Sequence, residues 1–263
     1  MKDVLVTGGG GGMGSATVKA LKASGYRVFA LDLAPIPEEE NIIPIAIDVT
    51  SEESVASAYA KVREYTDALF AVIHFAGVYM LDSLVEMPTE SFRRIFDINL
   101  FGAYLVNKTF LPLLSRGSRV IITTSELAPL DPLPFTGVYA VTKAALDKYA
   151  YSLAMELQLL GISVSVLRAG AVDTGMIGAS VTALDRFCDK TELYSCNAAR
   201  FKRIVDGVEA RRISTDRLAK RAVKILEKRR VGFAYSINRN PLLLLLNALP
   251  KRLQLFVIRL ILK

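Results

Sequence analysis

The chain has 263 residues, of which 52% are hydrophobic and 22% charged, a composition that excludes a disordered protein and suits one large α/β domain. Its two cysteines indicate a reducing compartment, so we expect a cytoplasmic protein. The first apolar residues run directly into glycines, which is typical of a buried strand and not of a signal peptide. We expect no metal site.

The net charge of +7 is unevenly distributed along the chain. Residues 200–263 hold 17 Lys and Arg but only 4 Asp and Glu, a net charge of +13 for this region. A basic region of this kind suits an anionic partner, such as a membrane surface, or a solvated helix face. We expect no nucleic-acid partner, because the basic residues lack interleaved aromatic residues and any recognised binding motif.

Short apolar runs alternate with amphipathic segments along most of the chain. Strands are predicted at 4–7, 26–31, 43–47, 69–75, 119–124, 162–167 and 232–236. Helices are predicted at 15–24, after Ser51, and at 90–97, 100–114 and 138–160. Pro44 places the third strand at a sheet edge, and residues 176–213 look irregular. The alternation predicts a single Rossmann-type domain over residues 1–237, a doubly wound parallel sheet of about seven strands with helices on both faces.

Residues 8–14, six glycines and one methionine, join the first strand to the first helix. A glycine-rich turn lets the backbone approach a pyrophosphate, and the helix N-terminus offers free N–H groups and a positive dipole end. Two dinucleotide-binding patterns fit this run, one through Gly9, Gly11 and Gly14 and the other through Gly8, Gly12 and Gly14. The sequence leaves the register open and predicts phosphate contacts from this turn, including Met13.

Two aspartates follow the next strands and are candidates for binding the adenosine half of a dinucleotide. Asp32 ends the second strand, where a carboxylate accepts both ribose hydroxyls and repels a 2′-phosphate. No Lys or Arg lies between Thr7 and Ser15 to bind that phosphate, so we expect NAD(H) to be preferred over NADP(H). Asp48 and Val49 are placed to contact the adenine, although Asp48 equally suits a helix-entry role.

A candidate proton-transfer centre lies in the second half of the chain. Tyr139 and Lys143 are four residues apart on a predicted helix and therefore share a face. A nearby ammonium favours the phenolate and lowers the pKa of tyrosine from its usual value of about 10. Lys143 also reaches the hydroxyls of a nicotinamide ribose. Ser125 follows a strand and can donate a hydrogen bond to a substrate oxygen, which stabilises charge developing during hydride transfer.

In this combination and order, the motifs resemble the short-chain dehydrogenase/reductase family from Lys2 to about Thr174. The resemblance implies a strand order of 3-2-1-4-5-6-7 and an Asn-Ser-Tyr-Lys tetrad that oxidises alcohols or reduces carbonyls. Tyr139 is then the acid/base, and Lys143 lowers its pKa. The remaining roles implied are a water-holding Asn99, a substrate-orienting Ser125, nicotinamide contacts from Val172 and Thr174, and cofactor-lining Ala76 and Gly77.

The chain departs from the family pattern in three places. His74-Phe75-Ala76-Gly77 stands where the family has Asn-Ala-Ala-Gly, and we expect this lone histidine to be structural. Ala169 replaces the usual proline, which loosens the turn before Thr174. Ser125 precedes Tyr139 by fourteen residues, where thirteen is commonest, so Thr124 is the alternative hydroxyl.

Residues 176–213 follow the sixth strand and are expected to cover the substrate. Their apolar residues indicate a hydrophobic alcohol or carbonyl, such as a lipid, steroid, retinoid or aromatic compound. No obvious charge clamp for a small acid stands out, although Arg186 and Lys190 could serve. The apolar residues are Met176, Ile177, Val181, Leu184, Phe187, Leu193, Tyr194 and Phe201.

Residues 238–263 form an apolar, basic extension. Its apolar stretches, 242–246 and 253–262, are each shorter than the roughly 20 residues needed to cross a bilayer. Three alternatives stay open: packing against a partner subunit or over the substrate mouth, peripheral membrane contact through 241–263, or disorder.

The sequence therefore predicts an NAD(H)-dependent alcohol dehydrogenase or carbonyl reductase. Family resemblance implies a homodimer or homotetramer through the helix at 138–160. The alternative is a non-catalytic NAD(H)-binding sensor or membrane-associated scaffold on the same fold. The tetrad favours the enzyme, since a sensor does not use a proton donor beside the nicotinamide.

Overall fold

The computed structural model describes residues 1–208 and 212–263; of residues 175–182 and 205–208 it describes only the backbone. The side chains of Met176, Ile177 and Val181, expected to cover the substrate, therefore lie outside the described residues.

Seven parallel strands form the central sheet, in the order β3-β2-β1-β4-β5-β6-β9, and two short strands pair beside it as β7 and β8. The strands are β1 (Lys2–Thr7), β2 (Tyr26–Asp32), β3 (Ile42–Ala46), β4 (Leu69–His74), β5 (Leu114–Ser125), β6 (Ser163–Ala169), β7 (Val172–Asp173), β8 (Ile213–Ser214) and β9 (Ala234–Ile237). This architecture confirms the predicted doubly wound sheet, with β3 at an edge.

Helices cover both faces of the sheet. They are α1 (Gly12–Ala23), α2 (Glu52–Arg63), α3 (Thr89–Phe96), α4 (Gly102–Phe110), α5 (Gly137–Leu157), α6 (Gly175–Lys190), α7 (Ser195–Val208), α8 (Thr215–Leu226), α9 (Pro241–Asn247) and α10 (Lys251–Leu262).

The central strand β1 shows why the sheet forms. Its residues Val4, Leu5 and Val6 are fully buried and alternate between two cores: Val4 and Val6 pack with Leu21 of α1, whereas Leu5 packs on the opposite side with Val55 of α2. A continuous apolar run buried on both faces is the signature of a strand inside a parallel sheet.

Two predicted segments differ from the structure. The helix expected at 100–114 is preceded by a π-helical turn (Asp97–Phe101) and ends in a 3₁₀ turn (Leu111–Leu113), because Pro112 cannot continue an α-helical hydrogen-bond ladder. Strand β5 consequently starts at Leu114 and not at Arg119.

The expectation that residues 176–213 are irregular is wrong for those that the structure describes, because most of these belong to α6 and α7. Leu184, Phe187 and Phe201 are buried together with Leu262 of α10 in one apolar cluster. Packing against α10, at the far end of the chain, thus stabilises the helices α6 and α7.

The C-terminal extension forms the two helices α9 and α10, and polar contacts attach it to the domain. Asn247 accepts a hydrogen bond from the backbone of Asp131 (2.6 Å), and Lys251 forms an ion pair with the Asp131 carboxylate. Asn197 of α7 donates to the Leu262 carbonyl (2.7 Å). Within the described residues, no helix has both the length and the apolar character required to span a membrane.

Candidate active site

The glycine-rich turn between β1 and α1 packs too tightly for side chains at two of its positions. Gly8 has a φ of +69°, and a Cβ there would lie 2.5 Å from the Ala76 nitrogen. A Cβ on Gly14 would lie 2.0 Å from the Gly8 carbonyl oxygen, and one on Gly12 would lie 3.0 Å from Thr174. These contacts favour the register through Gly8, Gly12 and Gly14, which the sequence had left open.

The N-terminus of α1 has the donors that suit an anionic pyrophosphate. Its N-cap, Gly11, makes no side-chain capping bond, and the first turn carries no acidic residue. The backbone N–H groups and the positive dipole end therefore have no capping side chain and no acidic residue in the first turn to compensate them. Met13, in the same turn, lines the large cavity beside this site.

Asp32 lies beside the same turn. Its carboxylate accepts hydrogen bonds from the backbone N–H groups of Gly10 (2.9 Å) and Ala34 (3.0 Å). These two donors fix the carboxylate against the glycine-rich turn, where the adenosine ribose of a dinucleotide would lie.

Asp48 organises the turn that precedes α2. Its Oδ1 accepts from the backbone N–H (2.9 Å) and hydroxyl (2.7 Å) of Thr50, and these bonds hold the pKa of Asp48 below its usual value. The neighbouring Val49 is buried against Gly102. A Cβ on Gly102 would lie 2.7 Å from Val49 Cγ2. The helix-entry role of Asp48 is thus visible in the structure.

The four residues of the expected tetrad converge at the carboxyl ends of β4 and β5. Ser125 ends β5 and its hydroxyl lies beside the phenol of Tyr139 on α5. Lys143 Nζ lies 5.8 Å from the centroid of the Tyr139 ring. A Cβ on Gly77 would approach both Asn99 Oδ1 (3.1 Å) and Lys143 Nζ (3.4 Å), so this glycine lets the lysine and the asparagine come together.

The electrostatics of the pair correct one expectation. Burial raises the pKa of Tyr139 to about 12, with the Ser125 hydrogen bond acting in the opposite direction. Burial lowers the pKa of Lys143 to about 8, and its ammonium donates to the Thr123 carbonyl (3.3 Å). The expected lowering of the tyrosine pKa by Lys143 is therefore wrong for this structure, because desolvation outweighs an ammonium that is directed elsewhere.

Asn99 lies in the π-helical turn, and its buried amide is hydrogen-bonded throughout. Its Oδ1 accepts from the Val78 N–H (2.8 Å), and its Nδ2 donates to the Val78 carbonyl (3.0 Å) and the Thr142 hydroxyl (3.1 Å). The asparagine thus connects the loop after β4 to α5, and this connection positions the residues on both sides of the cleft.

An ion pair behind the site was missed by the sequence analysis. Asp147 follows Lys143 by one further helical turn and accepts two hydrogen bonds from Arg168 of β6 (2.9 and 2.7 Å). Thr124 donates to the same carboxylate (3.2 Å). The Thr124 hydroxyl is thereby directed away from Tyr139, which leaves Ser125 as the hydroxyl beside the phenol. The signal in the sequence that could have found Asp147 is the spacing of Tyr139, Lys143 and Asp147, which puts three polar residues on one face of α5.

The lone histidine lies outside this centre. His74 is buried, its Nε2 is 2.9 Å from Asn107 Oδ1, and burial lowers its pKa to about 4. It is thus neutral near pH 7 and serves a structural role, as expected.

A cavity of about 680 Å³ opens above the Ser125–Tyr139 pair. Met13, Val172 and Thr174 line it on the side of the glycine-rich turn. The C-terminal helices provide much of the apolar wall, through Leu242, Leu243, Leu245, Leu246, Leu249, Val257, Ile258, Ile261 and Leu262. Of the segment expected to cover the substrate, only Phe201 and Ile204 are among the described residues that line the cavity.

Glu126, immediately after Ser125, connects the end of β5 to α9, which forms part of the cavity wall. Its Oε2 accepts from the backbone N–H of Asn240 (2.6 Å), the N-cap residue of α9, and burial raises the pKa of the carboxyl. Neither this contact nor α9 as the wall of the cavity was predicted from the sequence, although a position of the extension over the substrate mouth was one of the alternatives.

The glycine-rich turn, the sheet order and the centre formed by Ser125, Tyr139 and Lys143 together define a dinucleotide-binding oxidoreductase fold. The family model described as short chain dehydrogenase matches residues 2–184. The chain belongs to the short-chain dehydrogenase/reductase family, which binds NAD(P)(H) and acts on small-molecule substrates.

Curated relatives of known name match two thirds of the chain. Estradiol 17-beta-dehydrogenase 2 of Mus musculus is 35% identical over 189 residues, which cover 67% of this chain and 50% of the relative. The uncharacterized oxidoreductase YbbO of Escherichia coli is 33% identical over 179 residues, 66% of each chain. The chain spans about half the length of the estradiol dehydrogenases that it matches.

Solved structures share the fold at low sequence identity. The aldohexose dehydrogenase of Thermoplasma acidophilum superposes with a TM-score of 0.74 at 22% identity, covering 90% of this chain and 92% of that one. The 3-ketoacyl-(acyl-carrier-protein) reductase of Brucella melitensis, solved with NADH, has a TM-score of 0.73 at 20% identity, covering 90% and 96%.

Proposed function

We propose that the protein is an NAD(H)-dependent oxidoreductase that interconverts an alcohol and a carbonyl on an apolar substrate. The observation that carries this proposal is the cavity, which has the Ser125 and Tyr139 hydroxyls at its base and leucine side chains around them. A substrate oxygen at the base would meet a proton donor, while its carbon skeleton would contact aliphatic walls. One relative is named for estradiol, itself a large apolar alcohol.

The proposed chemistry divides hydride and proton transfer between cofactor and protein. A bound nicotinamide supplies the hydride for carbonyl reduction or accepts it from the alcohol. In the reductive direction Tyr139 donates its phenolic proton to the oxygen that becomes negative, and in the oxidative direction the phenolate takes the proton back. Ser125 donates a hydrogen bond to the same oxygen. Lys143, with a pKa of about 8, is mostly cationic at neutral pH and is proposed to bind the hydroxyls of the nicotinamide ribose.

The residues present fit a dinucleotide, because the uncapped start of α1 offers N–H donors to a pyrophosphate beside the Asp32 carboxylate. We propose the following contacts: Gly8, Gly12, Met13 and Gly14 for the pyrophosphate, Asp32 for the adenosine ribose, Asp48 and Val49 for the adenine, Ala76, Gly77, Tyr139 and Lys143 for the nicotinamide ribose region, and Val172 and Thr174 for the carboxamide.

NADH is expected to bind at least about tenfold more tightly than NADPH, because the Asp32 carboxylate repels a 2′-phosphate. Asp32→Ser is expected to remove most of this preference by weakening NADH binding and improving NADPH binding. Fluorescence titration of both cofactors measures the ratio. Glu53→Gln, which removes an exposed carboxylate on α2, is the control and should leave the ratio unchanged. Tighter binding of NADPH to the parent protein would show that the reading of Asp32 is wrong.

The activity itself is tested by following NADH absorbance with a panel of apolar ketones, including steroid and long-chain examples. Consumption that depends on both the ketone and the protein supports the enzyme. NADH binding without turnover of any ketone, or of any matching alcohol with NAD⁺, would instead favour a dinucleotide-binding sensor.

We propose in addition that the enzyme is a cytoplasmic homodimer or homotetramer, with α5 contributing to the interface. Exposed apolar side chains on this helix and the turn after it support this role, namely Val141, Tyr151, Met155 and Leu159. Residues 241–263 are proposed to keep the peripheral membrane contact that the sequence suggested, because they carry exposed apolar and basic residues together.

A further inference from the structure

The helices α9 and α10 are apolar on two sides. One side packs inward, where Leu243, Leu246 and Ile258 line the cavity. The other side faces outward with Leu255 at 71% exposure, Phe256 at 60% and Leu260 at 69%. Large apolar side chains that are exposed together on neighbouring turns mark an interaction surface, whereas single ones do not.

We define the C-terminal surface as the exposed apolar residues of α9 and α10 together with the arginines beside them. Its members are Leu242, Leu245, Leu253, Leu255, Phe256, Leu260, Ile261, Arg252 and Arg259.

The charge around this surface selects the partner. Residues 228–263 contain eight Lys and Arg and no Asp or Glu. A second copy of the C-terminal surface would bring like charges together, which disfavours self-association through it. A bilayer that contains anionic lipid matches both properties, since its acyl region accepts leucine and phenylalanine while its headgroups attract arginine.

The same surface reaches the opening of the cavity. Leu242, Leu245 and Ile261 line the cavity and are also 63%, 65% and 49% exposed, so they form its rim. The rim is continuous with the outward apolar side chains of α9 and α10. A substrate leaving the acyl region along this path would pass the aliphatic side chains of α9 and α10 before it reached Ser125 and Tyr139.

The two helices are also attached firmly enough to present a defined surface. Asn240, at the start of α9, donates its backbone N–H to Glu126, and Asn247, at its end, accepts from the backbone of Asp131. The Leu262 carbonyl, at the end of α10, accepts from Asn197. Both helices are thus attached at the cavity side and leave the C-terminal surface free.

We propose that the C-terminal surface lies on an anionic bilayer with the rim of the cavity facing the lipid, so that the enzyme takes its substrate directly from the membrane. The second part of this statement rests on the proposed function. The first part, binding to the bilayer, stands independently of turnover.

The binding part is tested by co-sedimentation with vesicles of phosphatidylcholine alone or with added phosphatidylserine. The parent protein is expected to sediment with the anionic vesicles and to be released at high salt. Leu255→Ser/Phe256→Ser is expected to lower the vesicle partition coefficient by roughly tenfold or more, since two apolar side chains no longer enter the acyl region. Neither residue lines the cavity, so thermal stability and NADH affinity should stay unchanged.

The matched control is Val85→Ser/Leu193→Ser, which removes two apolar side chains outside the C-terminal surface that are 71% and 67% exposed, and should leave vesicle binding unchanged. A parent protein that stays in the supernatant with both vesicle types overturns the proposal. So does a Leu255→Ser/Phe256→Ser variant that keeps vesicle binding but dissociates an oligomer in light scattering, because the occupant would then be a second copy.

The uptake part is tested with two ketones from the activity panel, one short and water-soluble and one long-chain and dissolved in the vesicles. The Leu255→Ser/Phe256→Ser variant should lose rate only on the vesicle-borne ketone. A variant that keeps the parent rate on the vesicle-borne ketone, or that loses the same fraction of the parent rate on both ketones, would overturn uptake from the membrane. Absence of turnover of every ketone in the panel by the parent protein would instead contradict the proposed function, while the sedimentation result would still decide the binding part.

Discussion

Replacing Tyr139 with phenylalanine is expected to lower kcat by about 10³-fold, because the variant loses the proton donor beside the substrate oxygen. The ring would keep its contact with Tyr79, whose centroid lies 4.9 Å away, so the cavity wall should persist. NADH affinity should change little. Steady-state rates on any ketone accepted by the parent protein, together with NADH titration of both proteins, provide the measurement.

Tyr151→Phe is the matched control, since Tyr151 lies on the same helix and is 54% exposed. Its ring packs edge-on against Phe233, a contact that phenylalanine retains, so kcat should stay at the parent level. If Tyr139→Phe kept a tenth or more of the parent rate, another group would have to supply the proton.

Replacing Asp147 with alanine is expected to lower the free energy of unfolding by about 3 kcal/mol, the lower end of the range for breaking a buried ion pair. Arg168 would lose both bonds that connect β6 to α5, and Thr124 would lose its acceptor. The lower end applies because the Arg168 side chain is 21% exposed and water compensates part of the loss. For a chain of this length, the melting temperature should fall by roughly 8 °C in calorimetry.

The control for this prediction is Asp67→Ala, which breaks the exposed pair with Arg63. The Asp67 side chain is 86% exposed, and such pairs contribute at most about 1 kcal/mol. Asp147→Asn should fall between the two, because an amide oxygen still accepts one hydrogen bond. Equal melting temperatures for the Asp147→Ala and Asp67→Ala proteins would show that the buried pair does not hold α5 in place.

The sheet and the separate halves of the site are predictable because their signals are local. A run such as Val4-Leu5-Val6 is apolar at every position and must be buried on both faces. Gly8 and Gly14 identify a tight turn, and Tyr139 with Lys143 identifies one helix face. Parallel topology then brings the ends of these strands to one edge.

The cavity wall is not predictable in the same way, because its contacts join distant parts of the chain. The Glu126–Asn240 hydrogen bond spans 114 residues, and Leu262 is buried against α6 and α7. Helix formation at 176–208 depends on such burial more than on local propensity, which explains the irregular assignment from sequence.

The pKa of Tyr139 illustrates a second limit. Sequence spacing shows that an ammonium is near the phenol, but it shows neither the burial of both groups nor the Thr123 carbonyl that accepts from Lys143. Desolvation decides the direction of the shift, and desolvation depends on the whole fold.

Hydride transfer from the cofactor to the substrate carbon is the event on which the whole account depends. Incubation with NADH deuterated at C4 of the nicotinamide, on the transferable face, and with the apolar ketone panel tests it by mass spectrometry of the products. We expect an alcohol that carries one deuterium on its carbinol carbon, formed by the parent protein and not by Tyr139→Phe. Deuterium-free products, or no alcohol from any ketone with either stereoisomer of the labelled cofactor, would contradict it.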